Sequence, residues 1–319
     1  NINQDHHFMV RFNYTNNKRW NTPTNTSNDF GHSFNSSTEG RFSQSSMGYA
    51  NSMYQAQNKA TTIYSRLNSR FGQKISNELL FTYSDLDDCR DTKSSAFPFI
   101  DILEPDASGT PKPYITLGYE FCTPKNRVRN KITTITDNAT FYLGAHKLMA
   151  GVSFEHQVAY NTYLRSFYGG YSYNSLNDFL TGAVPEAVAL TWGYNGDSEP
   201  ADKITFNQLG LYVQDEWTIN ERWKVNGGIR FDDLIFNDSD LMANAAIDAL
   251  DYGGVHLTTG EWPKSHVSIS PRIGFVWDVL GDKSLKVRGG SGLFTGRLPL
   301  VFFTNMPGNT GMSKYLYKS

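Results

Sequence analysis

The connections between the predicted strands of this chain alternate strictly between short and long. The short connections have about four residues and fall at 71–74, 144–147, 220–223 and 280–283. The long ones have about thirty to forty-four residues and fall at 17–58, 87–130, 161–203 and 237–266. An error of roughly two to four residues at a boundary does not remove this difference. A soluble sandwich has no reason to place every long loop at one end, whereas short turns opposite long loops are typical of an outer-membrane β-barrel.

Nine predicted strands lie between these connections. They span residues 7–16, 59–70, 75–86, 131–143, 148–160, 204–219, 224–236, 267–279 and 284–296. Most alternate apolar with polar residues, which is the period of a strand with two different environments. Val225 and Phe231 share one face of the seventh strand, opposite Arg230, whereas Asp215 interrupts the apolar row of the sixth. Most of these strands reach the ~9–11 residues that a membrane-spanning strand needs.

Composition excludes several other classes of protein. Lys and Arg number 29 against 31 Asp and Glu, and no element carries a basic cluster, so nucleic acid is not an expected partner. No run of about eighteen apolar residues is present, which excludes a transmembrane helix. The first residues, Asn1 to Asp5, lack the basic and apolar regions of a signal peptide. The mean hydropathy of -0.47 is compatible with a barrel, because its strands and loops expose many polar residues.

Aromatic residues mark the side of the short turns. Phe71, Phe141, Trp217, Trp223 and Trp277 lie in or next to the four short connections. Aromatic girdles flank the apolar band of outer-membrane barrels at both membrane interfaces. We therefore expect the short turns on the periplasmic side and the long loops outside the cell.

Two segments resemble a known family. GLYVQDEWTINERWKVNGGIRFD, residues 210–232, resembles the barrel of TonB-dependent outer-membrane receptors, and SPRIGFVWDVLGDKSLKVRGGSGLFTGRLP, residues 270–299, is similar to the hairpin that follows. The RGG and FTGR segments in the latter indicate the Oar-like branch. The resemblance implies a 22-stranded barrel around a plug domain, which imports a scarce ligand with energy relayed through TonB.

The chain departs from that pattern, because it shows no recognisable plug and no TonB box. Its odd number of strands predicts a start on the periplasmic side and an end in an external loop after Arg297. We expect residues 1–319 to form a single barrel segment. The predicted fold is therefore all-β: an antiparallel up-and-down transmembrane β-barrel, incomplete, with two open edges.

The expected function is ligand binding through the external loops for TonB-energised uptake, in the outer membrane of a Gram-negative bacterium. The partners that the resemblance implies are outer-membrane lipid, the plug domain, the TonB system and a small ligand such as a siderophore, sugar or peptide. The alternative is a soluble or surface-attached β-sandwich adhesin that binds glycan or protein. The two differ at Val225, Ile229, Phe231, Ile273, Phe275 and Val287, which face lipid in a barrel and form a core in a sandwich.

No pattern predicts an enzyme, a cofactor or a metal. Gly289, Gly290 and Gly292 lack the Lys-Ser/Thr of a phosphate loop and the helix that should follow it. The histidines show no metal-ligand spacing. Acidic residues around Cys89, namely Asp85, Asp87, Asp88, Asp91 and Glu104, lack the regular positions of a calcium loop, which favours a solvated acidic segment.

The two cysteines, Cys89 and Cys122, fall in one predicted long loop. A disulfide between them would stabilise the loop by roughly 3 kcal/mol in the chain-entropy model. Two unpaired thiols are the alternative, because the sequence does not show whether the Cα atoms approach within ~7 Å.

The predicted loops are rich in breakers and aromatics. Pro23, Gly31, Gly40 and Gly48 argue against regular structure in the first, and five prolines interrupt the second. In the third, residues 175–181 are predicted to start a short helix capped by Ser175 or Asn177. Trp20, Tyr168, Tyr171, Tyr173 and Trp192 are candidate ligand contacts by stacking. The alternative is that the loop aromatics pack the loops onto one another.

Overall fold

The computed structural model describes residues 2–25, 30, 32, 34, 39–296 and 300–319. Its strands are β1 His6–Asn21, β2 Met47–Gly48, β3 Tyr54–Phe71, β4 Ile75–Thr92, β5 Phe99–Pro105, β6 Pro111–Leu117, β7 Arg127–Leu143, β8 His146–Thr162, β9 Gly170–Tyr173, β10 Ala187–Gly193, β11 Asp202–Thr218, β12 Trp223–Phe236, β13 Ser268–Asp278, β14 Lys286–Gly292 and β15 Lys314–Lys318. Its α-helices are α1 Leu176–Thr181, α2 Ala245–Asp248 and α3 Leu300–Gly308. Short 3₁₀ turns cover Ala50–Ser52, Tyr194–Gly196 and Asp238–Asp240. Gly31 and Arg297, to which the sequence assigned a loop and a barrel exit, lie outside the described residues.

Nine strands form one antiparallel sheet in the order β1-β3-β4-β7-β8-β11-β12-β13-β14, and all but β14 have at least eleven residues. All nine predicted strands are therefore confirmed, and each pairs with its neighbours in the up-and-down order. Most extend further into the long connections than predicted, as when β1 runs to Asn21 and β4 to Thr92. The last strand is shorter than predicted, because β14 ends at Gly292.

The short turns are tight where glycine supplies the backbone. Only Gly144 and Ala145 separate β7 from β8, and Gly144 adopts a φ of 63° in the left-handed region. The turn between β13 and β14 is wider than predicted. It is organised by Asp278, whose carboxylate accepts hydrogen bonds from the backbone N–H groups of Gly281 and Lys283, each 3.0 Å away.

The two faces of the nine-stranded sheet differ in polarity. One register row crosses seven strands through Leu67, Leu79, Asp137, Val152, Leu211, Phe231 and Ile269. The large apolar residues of this face are exposed, with Ile273 at 63%, Leu211 at 50% and Phe231 at 38%. A β-sandwich would bury this face as a core, so the alternative fold is wrong.

This exposed apolar surface, which we call the outward band, changes position along the sheet. On β1 it runs from Phe8 to Tyr14, and on β13 it runs from Ile269 to Trp277. Phe8 and Ile269 lie on the same register row. On β1, Phe8 is the residue of the outward band that lies nearest the short turns. On β13, Ile269 is the residue of the band that lies farthest from them. The band therefore shifts toward the short turns from β1 to β13.

The opposite face carries the polar residues of the alternating strand pattern. Arg66 lies 3.7 Å from Glu78 across β3 and β4, and Arg230 pairs with Asp232 of its own strand at 2.7 Å. These side chains alternate with those of the outward band, so they line the inside of the curved sheet. We call this surface the lumenal face.

The long connections form a second sheet, which the sequence did not predict; the first connection, where breakers argue against regular structure, contributes only the two residues of β2. Its six strands follow the order β15-β10-β9-β5-β6-β2. Pro111 and Pro113 lie within β6, and the register of its pairing with β5 shifts between Ile102 and Leu103. The shift accommodates proline in the ladder. The predicted short helix is confirmed as α1, with Ser175 as its cap: the Ser175 hydroxyl accepts a hydrogen bond from the Asp178 N–H at 3.1 Å.

One buried core lies among the long connections, and the other lies where they meet the outer ends of the barrel strands β8, β11 and β12. One contains Phe30, Phe99, Phe121, Cys122, Ala187 and Ala189. The other contains Ala159, Ile204, Phe206 and Trp262, with Phe236, Leu300 and Phe303 packed against it. In the described part of the chain, no helix is long and apolar enough to span a membrane.

Candidate functional site

A buried ion pair connects the first long connection to the second. The Arg41 guanidinium donates from Nε to both oxygens of Asp101, at 3.0 and 2.9 Å, and from Nη2 to Oδ2 at 2.7 Å. Thr116 donates to the same carboxylate at 2.9 Å, and Arg41 Nη1 donates to the carbonyl of Thr24. Arg41 and Asp101 are 0% and 1% exposed. The pair therefore fixes chain segments that are far apart in sequence.

Aromatic rings complete the surroundings of this arginine. The Arg41 guanidinium lies 5.2 Å from the ring centre of Phe34, 5.5 Å from that of Phe99 and 5.3 Å from that of Phe121. Cation–π attraction adds to the ion pair where water is excluded. For Phe34, Phe99 and Phe121 the packing alternative is correct, because these rings are buried and cannot reach a ligand.

One face of the six-stranded sheet collects half-buried and exposed side chains, most of them aromatic, and we call it the aromatic face. It consists of Tyr171, Tyr173, Leu190, Trp192, Tyr315 and Tyr317. Their common side follows from alternation within each strand and from the pairs Trp192–Tyr315 and Leu190–Tyr317. Trp192 and Tyr317 are 43% and 52% exposed, and the ring centres of Trp192 and Tyr315 are 5.8 Å apart.

The structure brings together three of the five candidate ligand contacts. Tyr171, Tyr173 and Trp192 share the aromatic face. Tyr168 instead packs on Tyr119 at 4.9 Å between ring centres, and Trp20 lies in β1, where Lys93 Nζ sits 4.9 Å from its ring centre.

Tyr315 and Tyr317 complete the aromatic face and were not predicted. The segment Lys314-Tyr315-Leu316-Tyr317-Lys318 does alternate aromatic with other residues, which is a strand signal. Its partner strand β10, however, lies more than a hundred residues earlier in the chain. Periodicity alone does not identify so distant a partner.

Cys89 and Cys122, between which the sequence leaves a disulfide open, are both free thiols in the structure. Cys89 lies in β4, not in a loop, at a position paired with Arg127. Cys122 is buried in the loop core, where the Tyr163 hydroxyl donates to its sulfur at 3.3 Å. Burial, followed by the nearby Glu120 carboxylate, raises the pKa of the Cys122 thiol to about 11. Burial likewise raises the pKa of Tyr119 to about 12.

A cavity of about 870 Å³ opens on the lumenal face, below the loops. Its wall combines the aromatic rings of Phe206, Phe236 and Phe303 with the polar side chains of Glu155 and Gln208. Arg230 contributes a charge whose orientation is fixed. Its Nη2 donates to Asp232 Oδ1 at 2.7 Å and to Ser153 Oγ at 2.9 Å. The cavity is thus amphipathic, with room for a small ligand.

The acidic residues around Cys89 have other partners. Asp85 and Asp87 pair with Arg129 and Arg127, and Glu104 accepts a hydrogen bond from the Leu176 N–H at 3.3 Å. Across the described ranges, no three His, Cys, Asp or Glu side chains are grouped to hold a metal ion. Glycine in β14 has a steric role, since a Cβ at Gly289 would lie 2.6 Å from the Phe275 ring.

The long connections are also tied to the ends of the barrel strands. Lys314 donates to the Tyr163 carbonyl at 3.2 Å and lies 3.9 Å from Asp202, at the start of β11. Asn161 of β8 donates to Thr304 of α3 at 3.3 Å. These contacts hold the six-stranded sheet and α3 at the end of the nine-stranded sheet from which the long connections leave.

The sequence and the fold were compared with those of known proteins. The family model described as outer membrane beta barrel domain matches residues 1–317. The outer membrane transporter YddB from Escherichia coli has a TM-score of 0.53 and 13% identity, covering 92% of this chain and 30% of that one. The ferric-catecholate import receptor Fiu from E. coli K12 has a TM-score of 0.44 and 15% identity, covering 85% of this chain and 42% of that one.

The chain thus spans less than half the length of these solved structures. The likeness to YddB shows a shared barrel fold. No curated protein matches the sequence.

Proposed function

The chain belongs to the outer-membrane β-barrel domain family and lies in the outer membrane of a Gram-negative bacterium; on this premise we propose that it is the barrel portion of a TonB-dependent receptor. Its external loops capture a ligand, and energy relayed through TonB drives uptake. A membrane barrel of this family is not an enzyme, so the function rests on binding and passage.

The aromatic face is the observation that carries this proposal. A loop surface that merely covered the barrel would have no need of exposed rings on an ordered sheet. Here Leu190, Trp192, Tyr315 and Tyr317 are each at least 40% exposed. Flat apolar rings with polar edges bind sugar rings, catechols and aromatic peptide side chains by stacking.

Order in the loops supports the same role. The Arg41–Asp101 pair and the core around Phe99 hold the sheet in one arrangement before a ligand arrives. Preorganisation lowers the conformational cost of binding, so a modest aromatic surface gives useful affinity. The amphipathic lumenal cavity then provides a next position along the barrel interior.

The test is whole-cell binding and uptake by the full-length natural chain, expressed in a host that lacks its own receptors. Three probes represent the expected classes: a ferric catecholate siderophore, a maltooligosaccharide and a short aromatic peptide. We expect one probe to bind, and its uptake, but not its binding, to require TonB. Binding of none of the three would contradict these ligand classes. Uptake that persists without TonB would contradict the transport mechanism.

The aromatic face is tested by the double variant Trp192→Ala/Tyr315→Ala. Loss of two stacking rings should weaken binding of the active probe by at least about tenfold. Tyr252→Ala is the control, because Tyr252 is 49% exposed and belongs to none of the strands that form the aromatic face. Equal binding by both variants would exclude the aromatic face as the capture surface.

A further inference from the structure

A compact group of charges lies on the outward face of β3, β4 and β7, directly beyond the outward band. We call Lys59, Arg127, Arg129 and Lys131, with Asp85 and Asp87, the outward charge cluster. The register places Lys59, Asp87 and Arg129 on one row and Asp85 with Lys131 on the row nearer the short turns. Two rows further toward the short turns come the side chains of Phe81 and Ile135, which face lipid.

Two arginines of the cluster are held in place by diagonal ion pairs. Arg127 donates from Nε and Nη2 to the two oxygens of Asp87, both at 2.7 Å. Arg129 donates in the same way to Asp85, at 2.8 and 2.6 Å. A guanidinium has five N–H donors, so each arginine keeps further donors for another acceptor. The carboxylates occupy the Nε–Nη2 edge of each guanidinium and hold its other edge, Nη1 with the second N–H of Nη2, in a fixed orientation for a bidentate oxyanion.

The cations and the carboxylates of the cluster lie at different depths below the surface. The side chains of Arg127 and Arg129 are 44% and 36% exposed, whereas those of Asp87 and Asp85 are 14% and 18% exposed. The carboxylates thus lie beneath the guanidinium groups. An approaching molecule meets the cations first.

The cluster carries more positive than negative charge. Lys59 and Lys131 have no carboxylate within ion-pair distance among the described residues, while both arginines are paired. Four cations against two carboxylates leave a net charge of about +2 on this patch. A neighbouring cation, Lys203 on the row of Lys59, pairs with Asp240 at 3.0 Å and adds no net charge.

We propose that the outward charge cluster binds the phosphate groups of the phosphorylated glycolipid that forms the outer leaflet of the membrane. This assignment rests on the position of the cluster next to the outward band. The acyl chains of such a lipid lie along the outward band at Phe81 and Ile135, and its phosphorylated sugars lie two rows higher, where the cluster begins. A soluble anion would not contact the apolar surface that adjoins the cluster.

The contribution of each cation is electrostatic and local. A lysine near a surface of opposite charge contributes roughly a fivefold change in affinity, and the attraction falls off within about 10 Å at ordinary ionic strength. The guanidinium forks add the geometry of a bidentate phosphate contact. We therefore expect preference for phosphorylated lipid over an otherwise identical lipid without phosphate.

The experiment uses the full-length natural chain purified in a neutral detergent. Binding of bis-phosphorylated lipid A and of the same lipid after enzymatic dephosphorylation is measured by native mass spectrometry. We expect the phosphorylated form to bind at least about tenfold more tightly, and less tightly as salt is raised. Equal binding of the two forms would overturn the proposal. So would full competition by millimolar inorganic phosphate, which would indicate a simple anion site.

Two pairs of variants separate charge from folding. Lys59→Gln/Lys131→Gln removes two cations and should weaken binding of phosphorylated lipid A roughly twenty- to thirtyfold. Lys74→Gln/Lys286→Gln makes the same charge change beside the short turns and should leave the affinity unchanged. Asp85→Asn/Asp87→Asn should increase the affinity, because it raises the net charge and releases the forks. A decrease in the last variant, in a barrel with unchanged resistance to detergent unfolding, would overturn the proposal.

Discussion

His146 Nδ1 lies 2.6 Å from Oδ2 of Asp215, and the imidazole ring stacks on Trp217 with the two ring planes 10° apart. This contact explains why a carboxylate interrupts the outward band. Asp215 sits close to the two-residue turn between β7 and β8, where His146 begins the neighbouring strand. A charge so near the membrane edge is stabilised by a partner and by the polar interface.

Replacing His146 by Leu should destabilise the barrel by about 0.5–1 kcal/mol, because it removes the partner of an Asp215 carboxylate that is itself 35% exposed at the membrane edge. The measurement is urea unfolding of the full-length chain in lipid vesicles. The double variant His146→Leu/Asp215→Leu should recover most of the loss, since both polar groups are then absent. Additive losses in the double variant would show that the two residues are not coupled.

Replacing Asp101 by Leu should destabilise the loop assembly by about 3–5 kcal/mol, because the buried Arg41 charge would lose its counterion. Amide hydrogen exchange should speed up in β5, β6 and β9 but not in β7 and β8. Thr116→Val removes only one hydrogen bond to the same carboxylate and should cost about 1 kcal/mol. Faster exchange throughout the barrel strands would show that the ion pair supports the whole domain.

Cys122 should resist alkylation at pH 8. Its thiol pKa of about 11 leaves roughly one molecule in a thousand as thiolate, against about a quarter for an ordinary cysteine with a pKa near 8.5. In a Cys89→Ser background, iodoacetamide should react about two hundred times more slowly with the folded than with the unfolded chain. The folded loops hold this proton more tightly than the unfolded chain, so their stability falls as the pH rises from about 8.5 to about 11. Fast alkylation at pH 8 would contradict the burial of this thiol.

Arginine on the outward band should impair insertion in proportion to depth. Leu211→Arg, near the middle of the band, should cost about 2–4 kcal/mol, and Phe275→Arg, closer to the short turns, about 0–1 kcal/mol. Gln214→Arg on the lumenal face of β11 is the control and should insert normally. Insertion is measured by vesicle partition and protease protection. Normal insertion of Leu211→Arg would contradict the assignment of this face to lipid.

The nine barrel strands could be predicted because each has a local pattern of period two. Their outer ends were missed since alternation fades where β1 and β4 leave the lipid and both faces meet water. The second sheet was missed for a different reason. Its strands are short, and the parallel pairing of β5 with β9 joins segments about seventy residues apart, which no local pattern encodes.

The loop aromatics could be identified as a group but not divided by role. Phe99 and Tyr171 have the same apolar character in the sequence, yet Phe99 faces the core around Arg41 while Tyr171 lies on the aromatic face. The side of the sheet on which each ring lies depends on strand register. Asp101, two residues after Phe99 in β5, pairs with Arg41 in the same core, yet both are ordinary charged loop residues in the sequence.

The shift of the outward band along the sheet also determines how the strands incline. From β1 to β13 the centre of the band moves by about seven residues, or roughly 23 Å at ~3.3 Å per residue, while seven interstrand steps cover roughly 34 Å at ~4.8 Å each. Because the hydrocarbon layer is flat, the strands must lean about 35° from the membrane normal, at the low end of the ~35–45° found in outer-membrane barrels. At that inclination each strand occupies about 6 Å of circumference, so the nine strands form an arc of roughly 53 Å. At this strand inclination, the diameter of the complete barrel depends only on its total number of strands.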